Sequence, residues 1–213
     1  MKIGILGSGM VSQTLSVRLA DLGHEVMVGT RDPNKLTDWV RSAGVKVKIG
    51  SFAVAAAHGE MVFNATAGTG SMQALNMAGE VNLSGKVLVD ISNPLDFSNG
   101  MPPSLSVYNT DSLGKQIQRA FPSVKVVKTL NTVNANVMAY PRKVADGDHD
   151  VFLSGNDVKA KAQVAEILKS FGWLHIIDLG DILTARGVEM YLPLWLHLWG
   201  NLQTGLFNIK VMR

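Results

Sequence analysis

The stretch GILGSGMVS, Gly4 to Ser12, places two closely spaced glycines between a short apolar run and a helix-like one. Gly7 would permit a tight turn, and Gly9 would let the backbone approach a pyrophosphate. The free N–H groups at the start of the following helix would then face the phosphate oxygens, while Ser12 fills the third small position, where helix and strand pack. A glycine pair alone can be a purely structural turn. Its place at the start of a β-α-β unit predicts dinucleotide binding.

Strand-like and helix-like runs alternate along most of the chain. Strands separated by helices of this length pair in parallel through right-handed crossovers. The expected fold class is α/β, a Rossmann-type, doubly wound and mostly parallel sheet with a small C-terminal helical segment. Residues 1–178 are expected to form the nucleotide-binding domain and residues 179–213 the C-terminal segment. The predicted strands are Lys2–Leu6, Glu25–Val28, Lys46–Ile49, Met61–Ala65, Lys86–Ile91, Val124–Leu130, Asp150–Leu153 and Trp173–Ile177, and the predicted helices are Met10–Leu22, Phe52–His58, Ser71–Ala78 and Val158–Phe171.

Composition excludes several classes of function. With 213 residues, 46% hydrophobic and 17% charged, the chain suits one α/β domain with an appendage. Its net charge of +3 comes from scattered Lys and Arg, which argues against a nucleic-acid partner. Cysteine is absent, and the five histidines lack metal-ligand spacing. No charged-then-apolar leader opens the sequence, and the longest apolar stretch, Tyr191 to Trp199, is too short for a bilayer, so we expect a cytoplasmic protein.

The second predicted strand ends in Gly29-Thr30-Arg31, where a ribose-reading residue is expected. In an NAD enzyme an acidic residue would accept a hydrogen bond from the ribose 2′-hydroxyl there. With no acid at the strand end, Thr30, Arg31 and Lys35 are expected to converge on a 2′-phosphate, because a guanidinium pairs bidentately with phosphate oxygens. The sequence therefore favours NADP(H) over NAD(H). The alternative is a solvated turn in which Arg31 pairs with Asp32.

Three further loops should border the cofactor, because ligands of open parallel sheets cross the carboxyl ends of the strands. They are residues 65–71, 91–95 and 130–138. The first is rich in small residues, and the other two carry carboxamides that could match the nicotinamide amide. Asparagine also favours turns and helix caps for local reasons, so a structural role is the alternative for each one. The candidates are Asn93, Asn131, Asn134 and Asn136.

A proton donor for carbonyl reduction is not evident from the sequence. Such reactions usually need a positioned Tyr, His or Lys. Tyr140 and Lys143 are the tempting pair, but their spacing would not place both on one side of a helix in the Y-x-x-x-K manner. The pattern therefore favours a hydride acceptor that needs no protein acid, such as a flavin-like ring, and we expect no catalytic side chain and no bound metal.

Several segments, in order along the chain, resemble the coenzyme F420-dependent NADP oxidoreductase family, the NADPH:F420 reductases and their bacterial relatives. They are LGHEVMVGTRDPNK (22–35), DISNPL (90–95), VVKTLNTVNANVM (126–138), DLGDILTARGVEMYLPLWL (178–196) and FNIKVMR (207–213). The resemblance implies a homodimer that passes a hydride between NADP(H) and a deazaflavin ring, with FMN, FAD or a ferric chelate open as other acceptors. The NADP(H) positions it implies are Ser8, Gly9, Met10, Val11, Thr30, Arg31, Lys35, Ala65, Thr66, Ala67, Asn93, Asn134 and Ala135.

The C-terminal segment has apolar side chains around most of its expected helix. Such a helix needs partners on more than one side, so we expect it to pack on the sheet, to contact a second copy and to line the acceptor crevice. The positions concerned are Val188, Tyr191, Leu192, Trp195 and Trp199 on one face, and Met190, Leu194 and Leu198 opposite. Two functions fit these features: an NADPH-dependent reductase, or a non-catalytic NADP(H)-binding module that reports redox state to a partner.

Overall fold

The strands of the protein begin and end close to where the sequence predicts them. The computed structural model describes residues 1–44 and 46–213. Its strands are β1 (Lys2–Leu6), β2 (Glu25–Gly29), β3 (Val47–Gly50), β4 (Met61–Asn64), β5 (Val87–Asp90), β6 (Leu95–Asp96), β7 (Ser104–Leu105), β8 (Lys125–Lys128), β9 (Asp150–Leu153) and β10 (His175–Asp178). The main sheet has the order β3-β2-β1-β4-β5-β8, and every pairing in it is parallel. The predicted Rossmann-type fold is confirmed.

Helices cover both faces of this sheet. They are α1 (Met10–Asp21), α2 (Thr37–Ala43), α3 (Phe52–His58), α4 (Gly68–Ala78), α5 (Glu80–Leu83), α6 (Leu113–Ala120), α7 (Ala135–Ala139), α8 (Val158–Phe171), α9 (Ala185–Met190) and α10 (Leu192–Leu202). Single 3-10 turns span Pro33–Leu36, Pro141–Lys143, Ala145–Gly147 and Ile182–Thr184. No helix in the described part of the chain is long and apolar enough to cross a membrane.

Two apolar clusters hold the helices against the sheet. On one face Ile3 and Ile5 of β1 pack with Leu15 and Leu19 of α1 and with residues of α7 and α8. On the other face Leu6 packs with residues of α3, α4 and α6. Strands β4 and β5 are buried along their whole length, as expected for central parallel strands covered on both sides. This burial fixes the carboxyl ends of β1, β4 and β5 as one rigid edge.

The last strand–helix–strand unit differs from the prediction in two ways. Strands β9 and β10 are parallel, as expected, but they form a separate two-stranded sheet, which an isolated bridge between Lys128 and Ser154 joins to β8. Strand β10 also begins at His175, two positions later than predicted. Trp173 is turned into the core, where its indole N–H donates to the carbonyl of Met138 (3.1 Å), so this residue anchors the unit instead of starting the strand.

The C-terminal segment follows β10 as two helices. Pro193, where the sequence predicts a kink or break, is the second residue of α10, a position at which a missing backbone N–H is tolerated, and the break between α9 and α10 falls at Tyr191. Val188, Leu192 and Leu196 form the buried face of these helices. The chain then runs extended along β9, where the backbone N–H of Asp150 donates to the carbonyl of Ile209 (3.1 Å).

Candidate functional site

A cleft with two lobes crosses the carboxyl ends of β1, β4 and β5, on either side of the point where the strand order reverses. The arginine lobe, of about 280 Å³, lies between the glycine turn, Arg31 and α4. The apolar lobe, of about 270 Å³, lies between the start of α1, the loop after β5 and Met138. Gly9 and residues 65–67 line both lobes, so the two form one continuous groove. This is the place where open α/β sheets bind dinucleotides.

The glycine turn has the geometry that the sequence predicts. Gly7 has a φ of +126°, and a Cβ there would lie 2.5 Å from the carbonyl oxygen of Ala65. The hydroxyl of Ser12 donates to the carbonyl of Gly7 (2.7 Å), a hydrogen bond across the turn that the third glycine of the usual motif could not make. Gly9 has no such structural need: a Cβ there would have no protein atom within 4 Å, and its φ is −79°. The space that a Cβ of Gly9 would occupy is therefore open and belongs to the cleft at the start of α1.

Arg31 lines the arginine lobe with an exposed side chain. The alternative pairing with Asp32 does not form, because the Asp32 carboxylate accepts from the backbone N–H of Asn34 (3.1 Å) and caps the following 3-10 turn. Within residues 1–44 and 46–213, Arg31 makes no ion pair, so its fork stays available to a ligand. Thr30 is buried beside it and also lines the lobe. Lys35 is exposed and lies outside the lining of both lobes.

The apolar lobe is walled by hydrocarbon and aromatic side chains. Met10 and Val11, at the start of α1, which the family resemblance names as NADP(H) positions, both line this lobe. The wall also includes Phe97, which follows β6, and Met138 of α7. Residues 130–138 are expected from the sequence to border the cofactor, but on account of their asparagines, and nothing in the local pattern marks the side chains of Phe97 and Met138. Phe97 is 57% exposed at the mouth of the lobe. Among the described residues that line the two lobes, Arg31 carries the only ionisable side chain.

The asparagines near the cleft have mostly structural roles. Asn93 lines the apolar lobe, yet its amide donates to the carbonyl of Asn131 (3.0 Å) and its oxygen accepts from the Asn131 amide (3.0 Å). Asn134 caps α7 by accepting from Val137 N–H (3.0 Å) and donates to the Gly205 carbonyl. Asn134 and Ala135 lie outside the lining of both lobes. The side-chain amides of these asparagines are thus already engaged, and Asn93 borders the lobe with its side chain tied back.

A cluster of fully buried charges lies behind the loop that follows β5. The Lys128 ammonium contacts the carboxylates of Asp90 (2.9 Å) and Glu189 (3.0 Å), and it donates to the carbonyl of Ser92. Burial lowers the pKa of Lys128, but the two carboxylates outweigh that effect, so its pKa lies above the usual value. Ser92 also donates to Asp90 through its hydroxyl (2.7 Å). Sequence reasoning misses this cluster, since a lysine at a strand end carries no signal of its partners.

Tyr140 and Lys143 do not reach the cleft. The Tyr140 ring lies under the Arg18 guanidinium (5.3 Å) and the Lys143 ammonium (5.0 Å), and these residues line a different pocket. Residues 179–213 also contribute no side chain to the lining of either lobe within one chain. Among the described residues, no group of three or more His, Asp or Glu side chains is arranged to hold a metal ion.

Comparisons with known proteins agree with this geometry. Residues 2–94, which carry the glycine turn, Arg31 and the loops after β4 and β5, match the family model of the NADP oxidoreductases that are coenzyme F420-dependent. A crystal structure from Arthrobacter sp. FB24, provisionally named an F420-dependent NADP reductase, shares 57% identity over the whole of both chains, with a TM-score of 0.97.

Two curated relatives differ in how much of their length is matched. The F420-dependent NADP reductase of Methanocaldococcus jannaschii is 26% identical over 93% of this chain and 92% of its own. Metalloreductase STEAP3 of Rattus norvegicus is 31% identical over 91% of this chain, which spans only 38% of that protein. The chain therefore corresponds to a whole protein in the first case and to one part of a larger protein in the second.

Proposed function

The chain belongs to the family of coenzyme F420-dependent NADP oxidoreductases, and we propose that it transfers a hydride between NADP(H) and a deazaflavin or flavin-type ring. The observation that carries this proposal is the continuous two-lobed cleft, with an apolar wall at one end and, at the other, an arginine that has no ion-pair partner among the described residues. The 2′-phosphate end of the dinucleotide suits the arginine lobe, and an uncharged planar ring suits the apolar lobe.

The assignment of NADP(H) to the cleft is supported by hydrogen-bond donors along it. The N–H groups of Met10 and Val11 at the start of α1 have no intrahelical partner and favour an anion such as a pyrophosphate. Arg31 and Thr30 would take the 2′-phosphate. Bound this way, the cofactor would run past residues 65–67, which line both lobes, toward the apolar lobe.

The nature of the acceptor follows from the apolar lobe. NADPH supplies a hydride, and an acceptor ring stacked close to the nicotinamide needs orientation more than a protein acid. Met10, Phe97 and Met138 offer the flat, polarisable contacts that such a ring needs. Coenzyme F420 is the first candidate, because the family and the Methanocaldococcus relative carry its name. FMN, FAD and a ferric chelate are further candidates, the last because one relative is a metalloreductase.

The test is to follow the oxidation of NADPH at its absorbance band with each of these acceptors and without any. We expect turnover with at least one ring acceptor and a much lower rate with NADH. With F420 as the acceptor and NADPH deuterated at the transferred position, the label should appear on the ring carbon that accepts the hydride, which distinguishes direct hydride transfer from stepwise electron transfer. With a flavin, whose accepting nitrogen exchanges its hydrogen with water, the primary isotope effect on the rate is measured instead. Tight binding of NADP(H) without turnover of any acceptor would favour the non-catalytic redox-sensing module instead.

We also propose that the protein is a homodimer, joined through the exposed apolar face of the C-terminal segment. This face consists of Met190, Leu194, Trp199, Leu202 and Leu206, each between 41% and 56% exposed in the single chain. Removing such a patch from water would favour association. Leu194→Glu should yield a monomer in sedimentation velocity, whereas Val81→Glu, at a 91% exposed valine outside the segment, should not. A wild-type monomer, or a dimer that survives Leu194→Glu, would contradict this assignment.

A further inference from the structure

The C-terminal segment contributes no side chain to the cleft, yet it is bonded to the loop that forms the wall of the apolar lobe. Ser92 and Asn93 both line this lobe. The first link runs from Glu189 of α9 to the Lys128 ammonium (3.0 Å), and from there to the carbonyl of Ser92. The second link runs from the carbonyl of Val188 to the Asn131 amide (3.0 Å), and from there to Asn93.

The first link is built from charges that are costly to bury. Lys128 and Asp90 are 0% exposed, and Glu189 is 1% exposed. A buried ion pair is often no more stabilising than well-packed apolar side chains of the same size. The hydrogen bonds of this ion pair, however, fix the orientation of its groups. Glu189 also accepts from the N–H groups of Leu113 (2.7 Å) and Gly114 (2.9 Å) at the start of α6. The carboxylate is therefore held on one side by α6 and on the other by Lys128.

The links act on the Ser92–Asn93 side of the cleft, and Asp90 extends the network to Asn64 (2.9 Å), whose oxygen accepts from the hydroxyl of Thr66 (2.7 Å) in the wall shared by both lobes. Ser92 is held by Lys128 at its carbonyl, by Asp90 at its hydroxyl (2.7 Å) and its N–H (3.2 Å), and by the amide of Asn64 at its hydroxyl (3.4 Å). By contrast, the far end of the arginine lobe, at Thr30 and Arg31, shares no hydrogen bond with this network within the described residues. A disturbance of the two links should therefore move the wall of the apolar lobe and leave the 2′-phosphate end in place.

We propose that Lys128, Glu189 and Asn131 are positioning residues for the hydride acceptor: they fix the Ser92–Asn93 wall of the apolar lobe against the C-terminal segment. This inference rests on the proposed function, because it takes the occupant of that lobe to be the acceptor. It makes the acceptor site, and not the nucleotide site, dependent on the C-terminal helices. Orientation at the reacting atoms is sensitive to shifts of an ångström or less, so a loosened wall should slow transfer by roughly ten- to a hundredfold.

The chain offers a matched control for each link. Lys161 is a second buried lysine, 7% exposed, that contacts an Asp carboxylate, Asp178 (2.8 Å), and a backbone carbonyl, that of Gly180 (2.9 Å). Asn208 is a second asparagine that ties the C-terminal region to the sheet, through the carbonyl of Asp150 (2.8 Å). Neither control residue lines the cleft. Lys128→Met is therefore compared with Lys161→Met, and Asn131→Ala with Asn208→Ala.

Three quantities are measured on each full-length variant: the dissociation constant of NADP⁺ by calorimetry, the dissociation constant of F420 or FMN from its fluorescence, and kcat and KM for that acceptor. We expect Lys128→Met and Asn131→Ala to keep NADP⁺ affinity within about threefold while acceptor affinity and kcat/KM fall roughly ten- to a hundredfold. The two controls should lose thermal stability without this selective loss.

The results separate failure of the inference from failure of the function. The proposed function is refuted if the wild-type protein fails to oxidise NADPH with every acceptor tested and binds neither F420 nor FMN. An active wild type whose Lys128→Met and Asn131→Ala variants behave like their controls, or lose NADP⁺ and acceptor affinity equally, refutes the positioning role. If Lys128→Met does not fold, the uncharged change Asn131→Ala decides by the same criteria, and failure of both to fold would show that the links are only structural.

Discussion

Gly7 and Gly9, two residues apart in one turn, should respond in opposite ways to the same substitution. A Cβ at Gly7 would lie 2.5 Å from the Ala65 carbonyl, and the residue has a φ of +126°, which L side chains rarely adopt. Strained backbone and overpacking each cost about 1–3 kcal/mol, so Gly7→Ala should lower the free energy of unfolding by roughly 2–4 kcal/mol. In a chain of this size that corresponds to a drop of roughly 5–15 °C in Tm.

Gly9→Ala should leave the fold almost unchanged, since no protein atom lies within 4 Å of the added Cβ. Gly9 is the N-cap of α1, and replacing it by alanine there costs less than about 1 kcal/mol. The methyl group would instead meet the pyrophosphate and weaken its charged hydrogen bonds, worth about 1.5–3 kcal/mol, which means about ten- to a hundredfold in NADP⁺ affinity. Differential scanning fluorimetry and calorimetric titration measure the two effects separately. Wild-type affinity in Gly9→Ala would refute the pyrophosphate site.

Three further predictions concern the cofactor, the acceptor and pH. Arg31→Ala should weaken NADP⁺ binding about ten- to a hundredfold, with little change for NAD⁺, in titrations of both. Arg41→Ala, which removes an exposed arginine paired with an aspartate, should change neither affinity. Equal losses of NADP⁺ and NAD⁺ affinity in Arg31→Ala would contradict the 2′-phosphate assignment. Phe97→Ala should raise KM for the acceptor about three- to tenfold at unchanged KM for NADPH in steady-state kinetics, whereas the same change at Tyr108, 64% exposed outside the cleft, should not. The backbone N–H of Ala160, which Asp157 caps at the start of α8, and the nearby Lys125 outweigh burial and hold the pKa of Asp157 below its ordinary 3.8. The stabilising effect of Asp157 is therefore present above that pH and is lost as pH falls through the folded value. The Tm difference between wild type and Asp157→Ala should therefore shrink in acid, and a constant difference from neutral pH down to pH 3 would contradict this.

The parts of the site that could be predicted from the sequence are those encoded locally. The glycine turn, the strand before it and the helix after it lie within about 20 residues, so their spacing alone predicts where a pyrophosphate would bind. Arg31 could be named for the same reason: it follows β2, and β2 pairs with β1, the preceding strand in the sequence. Local rules failed at the asparagines. Asn93 and Asn131 bond each other across two loops, and no periodicity indicates which carboxamides are engaged and which are free.

Lys128 and Lys161 show why the positioning network could not be predicted. Each is buried, and each contacts one or two carboxylates and a backbone carbonyl, yet one stands at the end of a strand and the other in the first turns of a helix. Their sequence neighbourhoods, VVKTL and VKAKA, reveal neither the burial nor the partners, which come from segments distant in the chain. The difference that bears on the cleft is where their carbonyl partner lies: Ser92 lines the cleft and Gly180 does not. The role of a buried charge in this protein is therefore set by the loop it holds, and a comparison of the two lysines by substitution measures that role directly.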